Sequence, residues 1–539
     1  MIKLVLIGDI PYRNALLFPN DTWLHFEGKD YIWRELNRKI NSVANALSEM
    51  GVKKGTRVAV LLENCDQLVI SYFAIPKIGA LCVPLNYMEN KNGLLYMLND
   101  CTPTTFIFSQ KYSRYINFFK EKNKSIKNWI CVKESEEDID EKFVDFESLY
   151  DYPFDEPPSE NLNDMEPAFI QYTGGTTGYP KGVVMSHRAI TQNPMMVVAS
   201  TVGTQSFDPN DKALLPGLPL FHTAATLGLM TIAQLNIELY LHRRFVVHDV
   251  FEAIKNHGIT GFSAVPTMLN FMINSPEVKN YKKYFLNIKG IIYGASPISP
   301  TVIKKAMELF PNAEFAQLFG QTETGPTLTL LDGRDHKKAV SDPKCEYLLK
   351  SAGKPIIGVV IKIVDDQGNE LPPGNIGEIV AKSDTVLLEY WNKPDKTKEV
   401  KRNGWVYTGD MGYVDENGYL FVVDRKKDMI ITGGENVYTK EVEDALQSHP
   451  AVLECAVIGI PDDKWGEAVH AVVVLKKGYK KDVDVTAEEL IAHVKDQIAR
   501  YKAPKSIEFR RSLPKSAQGK VLKRELRKKY WEGRDRQVS

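Results

Sequence analysis

Between residues 172 and 182 the chain runs Tyr-Thr-Gly-Gly-Thr-Thr-Gly-Tyr-Pro-Lys-Gly, directly after an apolar stretch that reads as a strand. Gly174, Gly175, Gly178 and Gly182 let backbone N–H groups turn toward one anion, while the hydroxyls of Thr173, Thr176 and Thr177 add donors and Lys181 adds a cation. Such a set suits phosphate. A glycine-rich stretch alone is most often a turn, and the hydroxyls and lysine in register set this one apart. A P-loop needs Gly-Lys-Ser or Gly-Lys-Thr opening a helix, whereas here Pro180 precedes Lys181 and Gly182 follows it. No Gly-x-Gly-x-x-Gly follows an early strand, which disfavours dinucleotide binding.

Two later turns could hold a flat base. Gly294-Ala295-Ser296-Pro297 ends one apolar run, and Gln317-Leu318-Phe319-Gly320-Gln321-Thr322-Glu323 ends the next. Small residues let a ring approach the backbone, and the face of Phe319 can stack on it. Glu323 offers a hard oxygen suited to Mg2+ and Thr322 a hydroxyl. Four further segments stand nearer the C-terminus: Trp405-Val406-Tyr407-Thr408-Gly409-Asp410, Asp424-Arg425-Lys426-Lys427-Asp428, Thr432-Gly433-Gly434-Glu435-Asn436-Val437 and Pro514-Lys515-Ser516-Ala517-Gln518-Gly519-Lys520. Taken singly, Glu323 reads as a solvated carboxylate, Asp410 as a turn residue, Lys426 as part of a solvated charge run and Lys520 as a surface lysine.

In this order, and over nearly the whole chain, the segments closely resemble the adenylate-forming superfamily of acyl-CoA synthetases, firefly luciferase and the adenylation domains of nonribosomal peptide synthetases. The resemblance implies an acyl-CoA synthetase, in which a carboxylic acid and ATP give an acyl-adenylate and pyrophosphate before the acyl group passes to coenzyme A. It makes residues 172–182 the phosphate loop, with Thr176 and Glu323 toward Mg2+ and Lys181 acting in catalysis. Gly294, Ala295, Ser296, Pro297, Gln317, Phe319 and Gly320 then bracket adenine, and Thr322 reaches the α-phosphate. Asp410 matches an aspartate that accepts from both ribose hydroxyls, a task suited to two acceptor oxygens. Arg425 matches the arginine that reaches ribose and phosphate, and Lys427 the hinge position. Lys520 matches the C-terminal catalytic lysine. When a carboxylate nears the α-phosphate two anions meet, and a lysine delivered there stabilises the transition state electrostatically. Gly433 and Gly434 match a loop that enters the site after the small domain rotates, helping to form the pantetheine tunnel for CoA. Phe319 stands where tyrosine is commoner, Gly174 where serine is and Gln518 where asparagine is; none of these changes removes a catalytic group.

Pro219-Leu220-Phe221-His222-Thr223-Ala224-Ala225 resembles the family segment between nucleotide and acyl pocket. Amino-acid-activating relatives carry aspartate where His222 stands, and the chain leaves no carrier-protein domain after Lys520, so an amino-acid substrate is disfavoured. His222 is assigned to catalysis and to the acyl pocket, with a satisfied core histidine as the plainer reading. The pocket is expected to hold His222, Ala224, Tyr293, Leu318 and Gly320, where Ala224 and Gly320 leave room and Leu318 and Tyr293 take it. An apolar lining without a second cation favours a medium- or long-chain fatty acid, with an aryl acid of benzoate or hydroxycinnamate type as alternative. An acyl-AMP ligase serving a carrier protein, a luciferase-like oxygenase and a non-catalytic adenylate-binding protein are further readings. Retention of Lys520, Glu323 and Asp410 speaks against the last.

The elements that must carry these turns follow from periodicity. Leu36, Ile40, Val43 and Leu47 recur at helical spacing before Gly51, and 57–62 then reads as a buried strand. Apolar runs at 166–172, 259–265, 288–293 and 314–319 each end in a turn and lead to a plausible helix. That is α/β layering on largely parallel sheet, where ligands lie beyond the carboxyl ends of the strands. From about Val359 shorter strands separated by turns suggest a β-rich segment. Strand-like runs at 453–460 and 468–475, with a helix opened by the capping box Thr486/Glu489, suggest a small α+β domain. The expected fold is α/β: an N-terminal domain (1–424) of layered, mostly parallel sheets and helices with a β-rich subdomain, a hinge (425–428) and a small mobile α+β domain (429–539).

A chain of 539 residues, 43% hydrophobic and 25% charged, suits a soluble protein of at least two domains. Its 68 basic residues equal its 68 acidic ones, so no global field draws it to nucleic acid or an anionic membrane. Six cysteines without Cys-x-x-Cys spacing fit reduced thiols and a cytoplasmic home. No stretch is long enough to span a bilayer, and the apolar start is too short for a signal peptide. The expected partners are small molecules, namely a carboxylic acid, ATP and CoA; the sequence leaves oligomeric state open, a homodimer included.

Overall fold

The computed structural model describes residues 6–134, 140–157, 162–173, 180–201, 203, 208, 210–296, 298–515 and 521–532. Gly174, Gly175, Thr176, Thr177, Gly178, Pro297 and Lys520 lie outside the described residues. By compactness the chain forms two units, Met1–Ile361 with Ala381–Val406, and Lys362–Val380 with Tyr407–Ser539.

Two sheets build the first unit. In the eight-stranded sheet, Pro167–Thr173, Leu81–Pro84, Arg57–Leu61, Thr105–Ser109, Asn128–Val132 and Val144–Asp145 run parallel, and Lys181–Ser186 and Glu389–Tyr390 are added antiparallel at one edge. In the nine-stranded sheet the parallel core includes Lys212–Leu215, Gly261–Ala264, Gly290–Gly294 and Glu314–Phe319, and Thr329–Leu331 returns antiparallel beside the last. Helix Asp66–Lys77 buries residues 66–76 on every face. It shares one core with Val58 and Val60 of the first sheet and Leu215 and Leu239 of the second, as a helix apolar all round should.

The helix expected around 36–47 spans Trp33–Glu49, and Gly51 follows its C-cap with φ +86°. The expected step from strand to helix fails at two of the motif-bearing turns. Pro167–Thr173 returns as a second strand, because Val183 and Val184 favour a pleated, buried partner and Gly182 admits close approach: a Cβ there would lie 2.7 Å from Ile170 Cγ2. Glu314–Phe319 likewise turns through the 3₁₀ segment Thr322–Thr324 into an antiparallel neighbour. Each motif therefore stands between two paired strands and not between a strand and a helix.

In the second unit, residues 410–414 of strand Trp405–Val414 pair antiparallel with Leu420–Arg425, Asp410 opposite Arg425. A five-stranded sheet follows, in which Val452–Asp462 and Gly466–Leu475 form the long central pair. Helices Thr439–Gln447, Ala487–Gln497 and Lys523–Trp531 complete the unit, and the capping box closes with Thr486 N to Glu489 Oε2 at 2.8 Å and Glu489 N to Thr486 Oγ1 at 3.1 Å. Ile498 is the C-cap residue of that helix and still packs on its core. No helix among the described residues is long and apolar enough to cross a membrane.

Candidate active site

Thr173 and Lys181 flank the glycine-threonine loop in register, with Thr173 Oγ1 3.4 Å from Lys181 O. Strand Glu389–Tyr390 adds to the same edge, pairing Tyr390 with Val183. This places the Lys181 ammonium 4.8 Å from the centre of the Tyr390 ring, while the Tyr390 hydroxyl donates to Glu323 Oε1 at 2.8 Å. One buried tyrosine thus joins the motif lysine to the motif glutamate, and among the described residues Lys181 forms no ion pair with a carboxylate. Sequence reasoning passed over Tyr390, because an aromatic after the apolar run 386–388 looks like core and only the strand pairing brings it to the loop.

The Thr322–Thr324 turn is held by a local box: Gln321 N donates to Thr324 Oγ1 at 3.0 Å and Thr324 N to Gln321 O at 2.9 Å. Thr322 turns its hydroxyl to that of Thr223, 2.9 Å away. A Cβ on Gly320 would lie 1.8 Å from Pro326 O. The room expected at Gly320 for an acyl chain is, in the direction of a side chain, filled by this carbonyl.

Gly294 and Leu318 are register partners, and a Cβ on Gly294 would lie 2.3 Å from Leu318 O. Ala295 follows at φ +67°, a left-handed conformation costing a non-glycine residue about 1–2 kcal/mol. Strain of this kind gathers at ligand-binding turns. Tyr293 is 2% exposed; its hydroxyl lies 3.2 Å from Gln317 Oε1 and 2.8 Å from His336 Nε2. His336 Nδ1 meets Asp332 O at 2.7 Å, and burial pulls the imidazole pKa down to about 4, so the ring is neutral. Leu318 and Ile292 pack against a core that includes Ala316, Leu328 and Ile356. Successive residues of a strand face opposite ways and Tyr293 is in register with Gln317, so Tyr293 and Leu318, both expected in one pocket, leave opposite faces of the sheet. His222 is the half-buried N-cap residue of helix Thr223–Gln234, its ring 4.5 Å from that of Phe221, and Ala224 is exposed on the first turn.

In the second unit Arg425 Nε binds Asp410 Oδ1 at 2.6 Å, and Asp410 is 5% exposed. Lys426 is engaged by Asp366 at 2.9 Å and Glu378 at 3.2 Å. Burial, reinforced by the Arg425 charge, lowers the Lys427 pKa to about 8. Arg527 donates to Lys427 O at 3.2 Å and pairs with Asp428. Lys523 binds Glu443 at 2.8 Å and donates to Thr439 Oγ1, and Thr439 donates to Asp424. Burial pulls Lys523 down, but Glu443, Asp424 and Asp428 together raise it above its ordinary value. Asp428 is raised by burial and more strongly lowered by Lys523, Arg527 and Lys427, so that it stays ionised. Sequence reasoning found the acidic and basic residues of 424–428 and missed Lys523 and Arg527, whose helical spacing reads as an exposed basic face. Gly433 and Gly434, at φ +61° and +87°, make a two-residue turn between Ile430–Thr432 and Glu435–Val437, a geometry that favours glycine at both places.

The layered sheets and the grouping of lysine, glutamate and threonine define an adenylate-forming ligase. The o-succinylbenzoate CoA synthetase from Bacillus subtilis, in complex with an acyl-adenylate intermediate, matches with a TM-score of 0.81 and 29% identity over 97% of this chain and 98% of that one. A fatty acid–[acyl-carrier-protein] ligase of Streptomyces coeruleorubidus is 33% identical over 95% of this chain and 94% of its own length. A feruloyl-CoA synthase of Amycolatopsis sp is 32% identical over 97% and 99% respectively. The family model for the AMP-binding enzymes matches residues 12–391 and that for the AMP-binding enzyme C-terminal domain residues 441–520, so the chain belongs to the AMP-binding enzyme family, in its acyl-CoA synthetase branch.

Proposed function

We propose that this enzyme activates a carboxylic acid with an apolar body, medium- or long-chain aliphatic or aryl, as its acyl-adenylate and transfers the acyl group to CoA. The observation that carries the reading is that Lys181 and Glu323 are each bound to Tyr390 and not to each other, leaving a cation and a hard anionic oxygen for a charged ligand. The relatives support the reaction and span fatty-acid, feruloyl and succinylbenzoate names, so chain length and aromaticity rest on the test below.

In the first half-reaction a carboxylate oxygen forms a bond to the α-phosphorus, the bond to the β-phosphate oxygen breaks, and pyrophosphate leaves. Lys181 and Lys520 offset the charge that gathers there, Asp410 and Arg425 orient the ribose, and the turns at 294–297 and 317–320 hold the base. Glu323 fits a Mg2+ ligand: among the described residues its carboxylate accepts only a neutral hydroxyl, and no group of three or more His, Cys, Asp or Glu competes as a metal cage. With Thr176 it would hold Mg2+, which would supply neutralisation of the phosphates. In the second half-reaction the CoA sulfur bonds to the acyl carbon, AMP leaves and a proton is released. We assign that step to a turn of the C-terminal segment about 425–428, with Lys520 serving adenylation and the Gly433–Gly434 turn serving CoA. A cytoplasmic location follows from this substrate set.

The test is pyrophosphate release across a panel of aliphatic and aromatic acids, with and without CoA. Acid-dependent pyrophosphate release, with thioester and AMP formed only when CoA is present, is expected. Transfer to a phosphopantetheinyl carrier protein but not to CoA would establish the other acceptor, and no release with any acid would overturn the reading.

A further inference from the structure

Gln171 is 1% exposed and belongs to the strand that leads into the glycine-threonine loop; its bonding partners among the described residues are Thr223 and Thr226. These three residues form a buried chain that ends at Thr322, and its hydrogen bonds can run in only one direction. Thr226 Oγ1 lies 2.8 Å from Leu220 O and 3.1 Å from His222 O. Both are pure acceptors, so the Thr226 proton must point at them; lone pairs on three oxygens this close would repel. Tyr72 spends its own single proton on Leu220 O at 2.7 Å and cannot serve instead. The edge of Gln171 that lies 3.0 Å from Thr226 is therefore its NH2. The Gln171 carbonyl then faces Thr223 and takes its only proton. Thr223, 2.9 Å from Thr322, can only accept, so Thr322 gives its proton inward and turns lone pairs toward the site.

We propose that Gln171, acting through Thr223, is a positioning residue for the ATP site: it sets the direction of this chain and thereby what Thr322 offers the nucleotide. The inference rests on reading Thr322 and Glu323 as part of that site. An outward lone pair suits a cation or an N–H or O–H donor. To donate to a phosphoryl oxygen, as expected from the sequence, Thr322 must first leave Thr223. One buried amide thus links the loop strand, the segment 219–226 and the Thr322–Glu323 turn.

The experiment uses the full chain, the acid that gives the fastest pyrophosphate release, and the acyl-AMP of that acid. Gln171→Leu should lower kcat for ATP–pyrophosphate exchange by about 10- to 100-fold, the scale of losing a partner that orients a ligating group, with KM for the acid and the conversion of supplied acyl-AMP to thioester within about twofold of wild type. Gln171→Glu adds a readout that packing alone would not move. Protonated, its carboxyl has the same donor and acceptor edges as the amide; ionised, it has no proton for Thr226. Its exchange rate relative to wild type should rise as the pH falls through the raised pKa of a buried carboxyl. Should these variants fold poorly, Thr223→Val should lose exchange and Thr223→Ser recover most of it. Unchanged exchange in Gln171→Leu, equal loss of both half-reactions, a flat relative pH profile for Gln171→Glu, or equal loss in both Thr223 variants overturns the inference while wild-type activity stands. No pyrophosphate release by wild type overturns the ATP reading itself, and this inference with it.

Discussion

The turn at Thr322–Glu323 is held in place by Thr223, Gln171 and Tyr390, none of them charged, whereas the stretch 424–428 is held by the charged Glu443, Lys523 and Arg527 with one neutral relay, Thr439. A buried chain of neutral groups fixes a direction, because each hydroxyl has one proton to give and the amide has distinct ends. A buried set of ions fixes a location instead, since each charge needs its partners close and leaves any alternative arrangement costly. The first arrangement presents one particular face of one side chain to a ligand. The second ties helix Lys523–Trp531 to the stretch 424–428 through Thr439, the Lys427 carbonyl and Asp428.

Removing the central cation should give the largest effect. Lys523→Met leaves Asp424, Asp428 and Glu443 without it, and a loss of roughly 3–5 kcal/mol in denaturant unfolding of the second unit is expected. A loss below about 1 kcal/mol would mean that shape and not charge holds the stretch. Lys520→Ala comes next: adenylation should slow by about 10²- to 10³-fold, with thioester formation from supplied acyl-AMP spared, as measured by pyrophosphate exchange and thioester assay. Equal loss of both would end the division of labour between Lys520 and the Gly433–Gly434 turn. Tyr390→Phe keeps the ring under Lys181 and removes one hydrogen bond to a charged acceptor, worth about 1.5–3 kcal/mol. Exchange at limiting Mg2+–ATP should fall about tenfold or more while thermal stability changes little, and a large drop in Tm with unchanged exchange would make Tyr390 a packing residue only.

The smallest expected effect is a pH dependence that separates the two regions. Asp428 has its folded pKa below the unfolded value of 3.8, so its stabilisation is present above that value and is lost as the pH falls through the lower folded one. Lys523 has its folded pKa above the unfolded value of 10.5, so its stabilisation is present below 10.5 and is lost as the pH rises through the higher one. Hydrogen exchange corrected for intrinsic rate should therefore quicken in helix Lys523–Trp531 at both extremes before it does in helix Thr223–Gln234. Parallel behaviour of the two helices would erase the distinction.

The strand at 314–319 was legible to the residue, since an apolar run bounded by glycine has few other ways to fold. The returns after Thr173 and Phe319 were not, because a strand followed by a turn looks the same in sequence whether a helix or a second strand comes next. The charged and glycine-rich residues proposed for the site were singled out by their order along the chain. Gln171, Thr223, Tyr390, Lys523 and Arg527 could not be, since each gains its meaning from a partner tens or hundreds of residues away: 52 for Gln171 and Thr223, 67 for Tyr390 and Glu323. Tyr293 was expected in the acyl pocket on resemblance alone, and its bond to His336 could not be read from the sequence.

For anyone redesigning acid preference, the carbonyl of Pro326 makes position 320 a closed door. Even a methyl group there would collide with main chain, which cannot swing aside as a side chain does, so substitutions at Gly320 would report on folding and not on which acids fit. Leu318, which only the family resemblance puts in the acyl pocket, can be shortened without moving the backbone, whereas the glycine two residues later cannot be enlarged.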